Sequence, residues 1–60
     1  MTNDLKAWKR NTAVRRFNEI KANAEKAGDP MSDQRAANAA AGYVDATAPD
    51  VLKWVKEIPA

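Results

Sequence analysis

Residues 13–30, AVRRFNEIKANAEKAGDP, decide the fold. Ala13, Phe17, Ile20, Ala24 and Ala27 recur at alternating steps of four and three, which puts them in one stripe of an α-helix. Gly28 then stands where a left-handed residue closes a helix, and Asp29-Pro30 follows, a pair that cannot continue the hydrogen-bond ladder. Upstream the pattern extends to Thr2-Asn3-Asp4, where polar side chains can cap the orphan N–H groups and Asp4 suits the positive helix end. The spacing therefore predicts one long helix over about 24 residues, about 36 Å at 1.5 Å per residue. Leu5, Trp8 and Thr12 keep helical spacing, yet they lie about 100° around the cylinder from the apolar stripe. Either the helix bends near Asn11-Thr12, or its first two turns face a different neighbour.

Two shorter helices follow. Ser32 is placed to cap the second, with Met31 and Ala36 set for a hydrophobic staple; Asp29 as cap with Pro30 in the first position is a competing start. Ala36, Ala37, Ala39, Ala40 and Ala41 dominate this segment up to Gly42, so it presents little side-chain bulk and a neighbour can approach closely. Thr47-Ala48-Pro49-Asp50 opens the third helix in the manner of a capping box. Val51, Trp54, Val55 and Ile58 then fall at i, i+3, i+4 and i+7, and Pro59 ends the run. The expectation is an all-α fold, one long N-terminal helix packed with two shorter helices in an open three-helix arrangement. It forms a single small helical domain over residues 1–60, with helices at 4–27, 33–42 and 48–58.

Composition narrows the chemistry. The 60 residues include no His and no Cys, and Ser32 is the only serine. Nucleophile-plus-base hydrolysis lacks its base, and zinc lacks its usual ligands. No apolar run reaches the roughly 18–20 residues of a membrane span, and no signal peptide opens the chain. The reading is a soluble, non-catalytic protein without metal or cofactor, placed in the cytoplasm of a host cell or in a virion. Of the 27 hydrophobic residues 13 are alanine, so the core is thin and the stability marginal; an oligomer or a larger assembly could supply the remainder. Asp29 and Asp33 could in principle share Mg²⁺, but they read as a cap and a first-turn acid. Trp8 and Trp54 read by default as core side chains of the first and third helices, and Tyr43 as a ring packed beyond the turn with its hydroxyl in water.

Charge is split along the chain. Residues 1–28 carry seven bases against three acids, net +4, and residues 29–60 carry three bases against five acids, net −2. Such a split makes nucleic acid or an acidic protein surface the expected partner of the first helix.

Gln34-Arg35-Ala36-Ala37-Asn38-Ala39-Ala40-Ala41-Gly42-Tyr43-Val44 resembles the front half of a helix-turn-helix. It is similar to the Ala-Ala-Gly-Tyr stretch of phage small-terminase DNA-binding domains, and Val51-Leu52-Lys53-Trp54-Val55-Lys56 is similar to recognition helices of transposase-type domains. Together the resemblance covers residues 34–56. It implies a short helix ending at Gly42, a turn made there, and a second helix entering a DNA groove. Three features depart from the family pattern: the connection after Gly42 is about three residues longer than the tight turn, Asn38 stands where a small apolar residue is usual, and the recognition-helix segment offers Asp50, Lys53, Lys56 and Glu57 with no arginine or glutamine to read base edges. An alanine-rich helical hairpin that binds no DNA remains the alternative.

Two functions follow as expectations. The first is a small nucleic-acid-binding protein of phage or mobile-element type with a helix-turn-helix-like second half. In it Arg10, Arg15, Arg16 and Lys26 contact phosphate, and Lys53 and Lys56 lie on the groove-facing side. The alternative is a protein-interaction subunit, a virion component or an inhibitor of a host enzyme, docking through Leu5, Trp8, Lys9 and Thr12. Exposure of Trp8, and convergence of the bases on one surface, are the observations that divide them.

Overall fold

The computed structural model describes the backbone of residues 2–58 and the side chains of residues 7–58. It is all-α: α1 spans Thr2–Lys26, α2 Asp33–Ala41 and α3 Ala48–Glu57, and each helix packs against the other two. These bounds lie within two residues of the sequence expectation. The 25 residues of α1 amount to about 37 Å at 1.5 Å per residue. That helix sets the long dimension of a body measuring 41 × 19 × 17 Å.

Each boundary has a local cause. Gly28 adopts φ 78°, its N–H donates to Glu25 O and the Asp29 N–H donates to Ala24 O, both at 3.0 Å. This pair of bonds is a Schellman closure, and it occupies two carbonyls that the end of α1 leaves over. Ser32, rather than Asp29, caps α2: its hydroxyl accepts from the Arg35 N–H at 3.3 Å. Thr47 caps α3 by accepting from the Asp50 N–H at 3.4 Å, and Pro49 sits in the first turn.

The turn between α2 and α3 departs from expectation. Gly42 keeps right-handed helical angles, φ −64° and ψ −23°, so it does not supply the reversal. The left-handed residue is Asp45, at φ 56°, and the Ala46 N–H closes the turn by donating to Ala41 O at 3.1 Å. Six residues, 42–47, join the two helices. Asp is among the few residues whose short polar side chain tolerates this conformation.

The core is made of methyl groups and a few larger side chains. Ala13, Phe17, Ala36, Ala37, Ala40, Ala41, Val44, Ala48 and Val51 form one buried cluster, with Ile20, Met31, Leu52, Trp54 and Val55 partly buried against it. Val14 is buried as well, so the covered face of α1 is wider on that side than the sequence stripe. At the other end Ala27, placed in the stripe by its spacing, is exposed. The cause is positional. Asp33 at the start of α2 pairs with Lys21, Tyr43 just past its end meets Arg16, and Glu57 at the end of α3 meets Arg10. The second and third helices thus step down α1 from residue 21 to residue 10, and its last turn runs past them.

The two glycines should respond oppositely to substitution. At Gly28 the positive φ strains any L side chain, so Gly28→Ala is expected to cost about 1–2 kcal/mol. At Gly42 an added Cβ meets only Ala39 O at 3.5 Å, an ordinary contact, so Gly42→Ala is expected to stabilise by about 0.4–1 kcal/mol. Thermal melts followed by circular dichroism measure both signs. A destabilised Gly42→Ala would mean that the turn reverses there after all.

Candidate functional site

Every large apolar group left in water, among the described residues, is aromatic: Trp8 is 54% exposed and Tyr43 60% exposed. Helix geometry explains Trp8. Nine residues separate it from Phe17, which places the two about 180° apart around α1. With Phe17 at the centre of the buried face, the indole has no core to enter. Core packing, the default expected for both tryptophans, holds in part for Trp54, which is half-buried against the cluster, and fails for Trp8.

Around Trp8 the same geometry gathers part of the predicted site. Relative to its direction, Arg15 lies within about 20°, Thr12 about 40° away, Arg16 about 80° and Lys9 about 100°. Thr12, Lys9 and Arg16 are half-buried, and Arg15 is exposed. Leu5 belongs to α1, but its side chain lies outside the described residues. Trp8, Thr12 and Arg16 follow one another at i, i+4 and i+8, a row about 12 Å long. The Arg16 guanidinium carbon lies 4.9 Å from the centre of the Tyr43 ring, so the second exposed aromatic joins the far end of this row. Arg16 also donates to Glu19 Oε1 at 3.2 Å, which holds the guanidinium in place.

The remaining predicted residues do not converge there. Arg10 points to the opposite side of α1 and pairs with Glu57 at 3.8 Å. Lys26 shares the outward line of Trp8 but lies 18 residues along it, about 27 Å away. Lys53 and Lys56 are exposed on α3, where Asp50 and Glu57 are exposed beside them, so that helix offers as many carboxylates as ammonium groups. Lys21 pairs with Asp33 and lies 5.7 Å from the centre of the Phe17 ring, tying α1 to α2. These exposed pairs are worth little stability, at most about 1 kcal/mol each.

Residue spacing alone does not place Tyr43 at this site. Arg16 and Tyr43 are 27 positions apart, and only the crossing of α1 and α2 makes them neighbours. Among the described residues no cluster of acidic side chains could hold a metal ion, and no helix is long and apolar enough to cross a membrane. No protein family, curated protein or solved structure matches the chain.

Exposure of Trp8 separates its two possible roles. Trp8→Ala should change stability by no more than about 0.5 kcal/mol, as for an ordinary surface position. Phe17→Ala should cost about 3–5 kcal/mol and abolish the cooperative melt of so small a core. Comparable losses in the two variants would put the indole inside the structure and remove it from any surface.

Proposed function

We propose that the chain is a non-catalytic nucleic-acid-binding module that works through the first half of α1. One observation carries the reading: the arc of α1 that leaves Trp8 in water also holds Lys9, Arg15 and Arg16, within a stretch of sequence, residues 5–18, that has five bases and no acid. Cations on one face of a helix neutralise phosphates and release condensed counterions, a term that does not depend on base sequence. This reading shifts the contact from α3, where the helix-turn-helix resemblance would put it, to α1. The exposed side of α3 is charge-balanced, and it lacks the arginine and glutamine that pair bidentately with base edges.

A second reading is favoured by Trp8 alone. An exposed tryptophan bordered by Lys9 and Thr12 is also the form of a protein-docking anchor, since interface hot spots are enriched in this residue.

Fluorescence anisotropy with a labelled 20-base-pair duplex and a labelled 20-nucleotide strand tests the first reading. At least one of them should bind at 50 mM salt. Its affinity should fall roughly 20- to 150-fold by 200 mM if three or four phosphates are neutralised. Arg15→Glu should weaken binding further, whereas Glu57→Gln, whose partner Arg10 lies on the opposite side of α1, should leave it within about two-fold. Affinity indifferent to salt and to Arg15→Glu would exclude nucleic acid and leave the protein-docking reading.

A further inference from the structure

We propose that the row Trp8–Thr12–Arg16 together with Tyr43 is a stacking platform for single-stranded nucleic acid, in preference to duplex. The inference rests on the nucleic-acid reading above and adds the form of the ligand. Phosphate attraction alone accounts for the bases on α1, but it gives no use to two aromatic rings held in water. In a duplex the base faces are stacked on one another and out of reach of a surface side chain. In a single strand they are free, and a flat exposed ring beside cations is the feature that takes them up without regard to sequence.

The geometry suits a short strand. Trp8 and Arg16 are about 12 Å apart along α1, the length of about three to four stacked nucleotides at about 3.4 Å each. At the far end the Arg16 guanidinium is stacked on Tyr43 at 4.9 Å and bonded to Glu19, so ring and guanidinium are already oriented before a base arrives. The Tyr43 ring is 60% exposed with Arg16 beside it, which leaves ring surface open to a base. Lys9 and Arg15 lie on either side of the row and can follow the phosphates. Glu19 marks its end, because a carboxylate there repels a backbone that continues toward Lys26.

The test uses the full chain carrying Trp54→Phe, so that Trp8 is the sole indole. It is titrated in turn with a 12-nucleotide oligothymidylate, a 12-base-pair duplex and poly-L-glutamate, and every variant is checked for unchanged helicity by circular dichroism. Oligothymidylate should quench Trp8 emission and bind at least ten-fold tighter than the duplex. Trp8→Ala and Tyr43→Ala, the former followed by anisotropy, should each weaken the strand roughly 5- to 100-fold, and Trp8→Phe should restore most of the affinity. Duplex bound as tightly as the strand, with Trp8→Ala without effect, would overturn the platform and leave the nucleic-acid reading standing. Neither oligonucleotide bound would overturn both. Poly-L-glutamate bound in place of either oligonucleotide would also overturn both and assign the surface to an acidic protein.

Discussion

The all-alanine buried face of α2, packed against both of its neighbours, is the constraint from which the other features follow. Ala36, Ala37, Ala40 and Ala41 are all buried, and a buried helix face that carries only methyl groups lets a partner axis come near the short end of the usual 8–10 Å range. Burying a methyl contributes only about 0.8 kcal/mol, so the gain per residue is small and must come from many contacts at short range. Phe17 and Val51 supply the volume that closes over these alanines, and among the described residues Val51 is the one larger side chain that is completely buried. Because α2 and α3 are short, they cover only the middle of α1. The last turn of the long helix therefore projects, with Ala27 exposed just beyond it, and the outward side of α1 at Trp8 stays uncovered.

That geometry also explains where the charge goes. Ion pairs lie at the places where the short helices end against α1: Lys21 with Asp33, and Arg10 with Glu57. The acidic second half of the chain thus meets the basic first half at its rim, and the pairs fix how the helices are set without adding much stability. Bases that the short helices do not reach, Arg15 above all, remain on the outward face. The net +2 of the chain is therefore less informative than its layout, since several opposite charges are already spent on each other within the fold.

Much of this was legible from residue order. The three helices, the caps at Ser32 and Thr47 and the closure at Gly28 follow from spacing and side-chain chemistry within a few residues of each site. Gly42 misled because a glycine after a helix normally marks the reversal, whereas here the chain stays right-handed through it and turns at Asp45. No local rule separates those two outcomes, as the turn is set by how α3 must return to α1. Trp8 misled for the opposite reason. Its size argues for burial, but burial requires a neighbour on that side of α1, and two helices of nine and ten residues cannot surround a helix of 25. The pairing of Tyr43 with Arg16 lies beyond sequence reading, since it depends on the crossing of α1 and α2.

An exposed tryptophan in a chain with so thin a core calls for an account of its own. Only four aromatic rings are present, and two of them, Phe17 and Trp54, are used in or against the core. Had folding alone governed the sequence, Trp8 could be replaced by any helix-forming polar residue with little change in stability, and the first turns of α1 would be more soluble for it. Tyr43 is open to the same argument, with the difference that its ring gains a cation–π contact with Arg16. Two rings held in water, Trp8 on the cation-bearing arc of α1 and Tyr43 in the turn that meets Arg16, are thus features that packing does not require. Arg16, two helical steps along the row from Trp8, is bonded to Glu19 and lies over the Tyr43 ring, so the order at that end of the row comes from the arginine and its surface from the aromatics.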